Sequence, residues 1–350
     1  MNFWQTLKKP IFVLAPMADV TDASFRRVIA KYGKPDVTWT EFVSADGLAH
    51  ADAVGRGKLM RDLLYTEAER PIVAQFFTAK PENMYKAAVL ARELGFDGID
   101  INMGCPVDGI GRQGAGAALI KNPRLAREVI RAAKEGAKGV NGAGKVVDLP
   151  VSVKTRIGFN KIELDTWLPE LLAEHPAVIT IHARTRKEMS KVPAQWEQVK
   201  RAVEIRDEIQ KNLRDKNTGE YPTLIFGNGD ALDLADACAK AAATGADGVM
   251  LGRAIFGNPW LFAADGRGAH VNGQNAAAVS REEKLAVLVE HTQLYEELLG
   301  DIKNFAIMKK HFKAYVNGWD GAKELRGKLM EAGSAAEVAK IIGEEYSVGQ

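Results

Sequence analysis

Cysteine is almost absent from this chain: Cys105 and Cys238 are the only two in 350 residues. Two thiols cannot build a disulfide framework, and the paired Cys-x-x-Cys spacing of a zinc site is missing, so a reducing cytoplasm is the expected setting and no metal is expected. Long apolar runs are absent too. None approaches the ~20 residues that a membrane-spanning helix needs. The apolar stretch near the start, "IFVLAPM", is short for a secretory signal core and is followed by no small-residue cleavage site, so no membrane association is expected. An excess of one charge is also missing, since 47 basic residues face 45 acidic ones. A polyanion would therefore be met by a local patch rather than by the whole surface. No Gly-x-Gly-x-x-Gly follows the first strand-like run, where "APMADVTD" stands, which argues against a doubly wound dinucleotide-binding sheet.

What is present is a soluble globular composition, 46% apolar and 26% charged, with short strand-like runs alternating with helical patterns. The runs are 11–17, 37–44, 71–77, 98–104, 151–157, 177–183, 223–229 and 248–253. Between them, "PENMYKAAVLARELG" and "NPRLAREVIRAAKEG" open near Pro and close on Gly, as helices do, and "DLADACAKAAATG" closes the same way. Eight buried strands, each followed by a helix, predict an α/β fold of the (β/α)8 TIM-barrel type. The charged stretches "KEGAKGVNGAGKVVD" and "RDEIQKNLRDKNTGEY" read as surface extensions. After Phe262 the pattern stops. Residues 266–280 read as a linker, and Ser280 with Glu283 forms the S-x-x-E signature of a helix start. Residues 281–350 are helical throughout. The expected division is a catalytic barrel over 1–265, the linker, and a small C-terminal helical bundle.

In such a barrel the chemistry lies at the C-terminal ends of the strands. Those ends carry Met17, Asp19, Glu41, Ser44, Gln75, Asn102, Cys105, Lys154, Arg156, His182, Arg184, Asn228 to Asp230, Gly252 and Arg253. Lys154, inside "VSVKTRI", calls for an anionic partner, because an uncompensated buried charge is costly. "IFGNGD" and "MLGRAIFGNPW" are glycine-rich turns after the last two strands, where barrels commonly hold a phosphate, and Arg253 adds a charged fork. Cys105 could be a nucleophile, with His182 as base, or an acid, since an unperturbed thiol stays mostly protonated at neutral pH. Cys238, in "ADACAKAAA", reads as a core residue. The residue types alone leave the role of Cys105 open.

The segments "APMADVTDASFR", "TEFVSADGL", "AQFF", "GIDINMGCP", "GAGAALI", "VKTR", "IHARTR", "GNGD" and "GADGVMLGRA", in this order, resemble the tRNA-dihydrouridine synthases from about residue 10 to the C-terminus. The resemblance implies an FMN-binding barrel, a helical domain that helps hold tRNA, and reduction of the uracil C5=C6 bond with NADPH as hydride source. By the same resemblance Pro16, Met17, Ala18, Gln75, Lys154 and His182 would contact the flavin ring. Asn228, Gly229, Asp230, Gly252 and Arg253 would hold its phosphate, Asn102 would orient the base, and Cys105 would donate the proton. Arg184 is assigned to the RNA side. Lys309, Lys310 and Lys313 are assigned there as well, from a stretch between Lys303 and Lys328 with seven basic residues against two acids. The chain departs from the family pattern at Asp108 and Gly109, where basic residues are common, and at Ser190 and Val192. The same chemistry on another RNA, such as rRNA, or a dihydropyrimidine-type reaction on a small molecule, is the alternative. A monomer is expected.

Overall fold

A computed structural model describes residues 2–211, 222–264, 270–271, 274–275 and 279–348. Eight parallel strands form one sheet: β1 Ile11–Leu14, β2 Thr38–Ser44, β3 Ile72–Phe77, β4 Gly98–Met103, β5 Val151–Arg156, β6 Val178–His182, β7 Leu224–Asn228 and β8 Gly248–Leu251. Each pairs in parallel with its successor from β2 to β8, and β8 pairs with β1. A single parallel bridge between Val13 and Val37 joins β1 to the start of β2 and closes the ring. Every strand lies within its predicted run.

The strands read as nearly unbroken apolar runs because both faces are covered. Outward-facing Ile99, Ile101, Val153, Ile179, Ile181 and Ile225 pack under the surrounding helices. Inward-facing Ile11, Val13, Val73, Val178 and Met250 fill the lower barrel, with Trp4, Trp39 and Phe226 as a plug. Above that plug the period-two alternation brings polar groups inward. Gln75, Asp100, Ser152 and Thr180 are all buried there, and Lys154 is partly so.

The surrounding helices include α1 Ala23–Tyr32, α2 Pro81–Glu93, α3 Pro123–Gly136, α4 Leu164–Leu172, α5 Trp196–Gln210 and α6 Leu234–Thr244. Asp22 caps α1 by accepting from Phe25 N, and Gly245 ends α6 at φ +73°, a left-handed position suited to glycine. Of the two expected extensions, the first contains a hairpin, Lys138–Val140 against Val146–Asp148. The second is in part the end of α5. Arg206 and Gln210 are buried there, Arg206 because it bonds Thr223 O and Asp247. The rest, 212–221, lies outside the described residues.

The C-terminal part comprises α7 Arg281–Leu299, α8 Lys309–Tyr315, α9 Ala322–Glu331 and α10 Ala335–Val348. Ser280 Oγ accepts from Glu283 N and caps α7. The expected linker, 266–280, falls largely outside the described residues. The bundle shares a continuous core with the barrel. Phe25, Val28 and Ile29 of α1 and Trp260 meet Leu288, Tyr295, Phe312 and Tyr315. His291 and His311, both fully buried, pack on the Phe25 ring with centroids 4.8 and 4.9 Å away.

Candidate active site

A cavity of about 780 Å³ opens at the C-terminal end of the barrel. Its wall brings together Pro16, Met17, Lys154, His182, Arg184, Asn228, Gly229, Asp230, Gly252 and Arg253, with Ser190 at its edge. Ala18 follows Met17 on the same loop but is not part of the wall. Gln75 on β3, Asn102 on β4 and Cys105 just after β4 stand beside it, and Asn102 is the strand neighbour of Lys154. Lys309, Lys310 and Lys313 lie apart, on α8.

One end of the cavity is a network of cations around one carboxylate. Asp230 accepts from Arg184 Nη2, from Arg253 Nη2 at 2.6 Å and from Ala194 N at 2.9 Å. The hydrogen bond from Arg184 is the leading cause that holds the Asp230 pKa below the usual carboxylate range. A carboxylate has no donor, so the Asp230 side chain holds the two arginines, and only its backbone could serve an anion. Gly229, at φ +122°, occupies backbone space that an L side chain rarely adopts, and an added Cβ would meet Ala194 at 2.9 Å. Asn228 donates to Met250 O at 2.7 Å, which ties the end of β7 to β8.

Arg184, expected on the RNA-facing side, is instead buried in this wall, 2% exposed, because its guanidinium finds three local acceptors. Besides Asp230 these are Val192 O at 2.6 Å and His182 Nε2 at 3.2 Å. Arginine only donates, so His182 Nε2 is the accepting nitrogen and the ring proton sits on Nδ1. Burial, followed by the charges of Lys154, Arg156, Arg184 and Arg253, holds His182 far below its ordinary range, so the ring is neutral. Lys154 makes no ion pair among the described residues. Burial, then Arg156, pushes its pKa down to about 8.

At the other end, the cysteine turn is held from below. Asn102 Oδ1 accepts from Gly104 N at 3.1 Å and Cys105 N at 2.9 Å. Arg156 Nε donates to Gly104 O at 2.7 Å, and its Nη1 reaches Thr185 O and Met189 O, both at 3.1 Å. Cys105 is 8% exposed, and burial pushes the thiol pKa up, against a hydrogen bond from Val107 N. Arg156 thus belongs to the site, and so does Asp100, which accepts from Gln75 Nε2 at 2.6 Å. In the sequence Arg156 stands at a strand end without a role, and the alternation of "GIDINM" would have placed Asp100 on the inner face with Asn102.

Of the four departures only Asp108 has a side-chain contact that accounts for it, and nothing in the structure explains the other three. Asp108 pairs with Arg186, which bridges the cysteine loop to the loop after β6. Val192 supplies the carbonyl that fixes Arg184. Two other expectations change. Cys238 is exposed, not core, because α6 buries the face made by Ala237, Ala241 and Thr244. Lys303, counted in the basic stretch, is bound to Glu41 Oε2 at 3.0 Å and Asp62 Oδ1 at 2.9 Å.

A closed parallel barrel with an anion-suited turn at β7 and β8, and a cationic wall at β5, defines a class: barrel enzymes whose site, at the C-terminal end of the strands, is suited to a phosphate-bearing ligand. The solved structure of histamine dehydrogenase from Rhizobium sp. 4-9 shares the barrel, with a TM-score of 0.51 at 13% identity over 81% of this chain and 48% of that one. A family model described as Dihydrouridine synthase (Dus) matches residues 13–347, and the chain belongs to that family. It is 39% identical to "Probable tRNA-dihydrouridine synthase 2" of Bacillus subtilis, covering 97% of this chain and 95% of the relative. It is equally similar to "Probable tRNA-dihydrouridine synthase" of Staphylococcus aureus strain COL, over 98% and 95%. Among the described residues there is no cluster of side chains suited to a metal ion, and no helix is long and apolar enough to cross a membrane.

Proposed function

We propose that the protein reduces the C5=C6 bond of uridines in tRNA to dihydrouridine, with FMN as bound cofactor, NADPH as reductant and Cys105 as proton donor. The observation that carries this reading is the pairing of a cationic cavity wall with a buried thiol one strand away. Lys154 and Cys105 flank the same end of the barrel on β5 and after β4.

The residues present fit FMN. The unpaired Lys154 ammonium suits the ring edge where negative charge collects on reduction. The glycine backbone at Gly229 and Gly252, which lines the cavity, suits a phosphate together with Arg253. Pro16, Met17, Ala18, Gln75 and His182 would meet the ring, and Asn228, Gly229, Asp230, Gly252 and Arg253 the phosphate arm. When bound, FMN supplies to uracil C6 the hydride drawn from NADPH.

The chain's own groups do the rest. Cys105, its pKa raised by burial, keeps its proton on Sγ at neutral pH and delivers it to C5 as enolate character develops there. Asn102 and Arg156 fix the turn that carries the thiol. His182 stays neutral and offers Nδ1–H, while Lys154 remains largely an ammonium below pH 8. A uracil stacked in folded RNA cannot reach this depth, so the base must be flipped out. Lys309, Lys310 and Lys313 on α8 supply phosphate contacts.

Nucleoside mass spectrometry of tRNA from a strain lacking the gene tests the reading. Loss of dihydrouridine at a defined position, restored by the gene, is expected. Unchanged tRNA dihydrouridine overturns it, and a loss confined to rRNA moves the substrate to that RNA. Chromatography of the flavin released by denaturation is expected to show FMN; finding FAD overturns the phosphate-site assignment.

A further inference from the structure

A chain of three side chains runs from the barrel interior to the cysteine turn. Asp100, 1% exposed, accepts from Ser152 Oγ through Oδ1 and from Gln75 Nε2 through Oδ2 at 2.6 Å. Gln75 Oε1 accepts from Asn102 Nδ2 at 3.0 Å. Asn102 Oδ1 accepts from the backbone N–H groups of Gly104 and Cys105. Gln75 and Asn102 are 0% and 6% exposed.

A carboxamide has one accepting and one donating end, and its shape alone does not say which way it points. Here both termini of the chain are groups that cannot be reversed. The Gly104 and Cys105 amides only donate, so Asn102 must turn its oxygen to them and its NH2 to Gln75. Gln75 must then accept from Asn102 and turn its own NH2 toward β4. That NH2 needs an acceptor, and among side chains an ionised carboxylate is the strong one that offers acceptors only. A donor at position 100 would reverse Gln75, and Asn102 with it. The Asn102 NH2 would then face two backbone N–H groups, and the turn would lose both hydrogen bonds.

We infer that Asp100 is a positioning residue. Its carboxylate sets the direction of the Gln75–Asn102 amide pair and so keeps the two hydrogen bonds that hold the Gly104–Cys105 turn. A second consequence follows from the same direction. Each amide keeps one N–H outside this chain of bonds, so a group that approaches either amide from the cavity side must bring an acceptor. The effect on turnover rests on the function proposed above. The hold on the turn does not, because it is read from the thiol itself.

The test is a cycle of substitutions in a Cys238→Ala background, so that Cys105 is the one thiol, with iodoacetamide alkylation in the folded protein as readout. Asn102→Asp keeps acceptors toward the turn but sets a second carboxylate against Gln75, which cannot donate to both neighbours. Cys105 alkylation is expected to rise by up to about tenfold, the upper end of what one lost hydrogen bond carries. Adding Asp100→Asn lets the chain run in reverse. Asn at position 100 donates to Gln75 Oε1 and accepts from Ser152, and Gln75 donates to Asp at position 102. Alkylation is expected to return to within about threefold of the starting protein, a residual that two new neutral hydrogen bonds can leave. Asp100→Ala in place of Asp100→Asn also frees Gln75 to turn but leaves its oxygen without a donor, and is expected to restore less of the protection. If Asn102→Asp does not fold, recovery of folding by Asp100→Asn but not by Asp100→Ala reads the same relation. Wild-type alkylation in Asn102→Asp, or equal rescue by Asn and Ala, overturns the assignment whether or not the protein proves to reduce uridine.

Discussion

Lys303 Nζ lies 3.0 Å from Glu41 Oε2, joining the segment between α7 and α8 to the C-terminal half of β2. Their side chains are 15% and 5% exposed, and Glu41 also accepts from Asp19 N on the loop that carries Met17. Burial raises the Glu41 pKa to about 7 despite Lys303. Lys303→Met therefore strands a buried carboxyl at the seam between bundle and barrel. A loss of about 2–4 kcal/mol in urea unfolding is expected, near the range for breaking a buried pair but reduced because Glu41 can take up a proton. A loss below about 0.5 kcal/mol, the level of an ordinary surface substitution, would show that the pair does not lock the two parts together.

Lys310 and Lys313 are exposed and Lys309 half-buried on α8, while His311 and Tyr315 turn into the core. Lys309 and Lys313 are one helical turn apart and share a face. Lys310 already donates to Asp19 O at 2.7 Å. Replacing Lys309 and Lys313 by Gln is expected to weaken tRNA binding and flatten its salt dependence, by about 0.9 or less in slope for each phosphate no longer neutralised. Flavin reduction by NADPH is expected to stay unchanged. An unaltered affinity and slope would place the RNA contacts elsewhere, on the barrel rim near Arg112 and Arg186.

The ring nitrogens of His291 and His311 have no hydrogen-bond partner among the described residues. Burial pushes the His291 pKa down to about 3 and that of His311 well below its ordinary value. Both stay neutral when folded and protonate on unfolding below about pH 6.5, so their contribution to stability falls as pH drops from there toward 3. Each adds up to about 1.4 kcal/mol per pH unit in that window. Glu41 and Asp100, raised to about 7 and 6, act in the opposite sense over part of it. The difference between wild type and His311→Phe isolates the histidine: the variant's stability is expected to fall less steeply between pH 6 and 4, as urea midpoints would show. Parallel curves would contradict this.

Cys238 is exposed on α6. Cys238→Ala is expected to change stability by no more than about 0.5 kcal/mol and to leave turnover unaltered. Unfolding curves and steady-state assays check both. A larger loss would mean that the thiol packs against something in solution.

Much of this was legible in the chain. The strands were readable because parallel strands covered on both faces stand out as apolar runs, and Gln75, Asn102, Lys154 and His182 were conspicuous as polar residues at their ends. The role of Arg156 was not, because its partners are backbone carbonyls of Gly104, Thr185 and Met189, which leave no mark in side-chain pattern. Lys303 looked like part of a basic face because its acids lie about 240 and 260 residues earlier in the chain. In the alanine-rich α6 every small position looks equally fit for the core, and only the neighbouring helices decide that Ala237 is inside and Cys238 outside. Arg184 had no sequence signal for its partner, since Asp230 itself looked like part of an anion site.

The claim that Cys105 protonates the reduced base is tested most directly by Cys105→Ala in rapid-mixing experiments that follow flavin absorbance. Reduction by NADPH is expected at the wild-type rate, while reoxidation by tRNA is expected to slow by about 10²–10⁴-fold, the usual cost of losing a general acid. Reoxidation of the alanine variant by tRNA at the wild-type rate would remove Cys105 from the reaction.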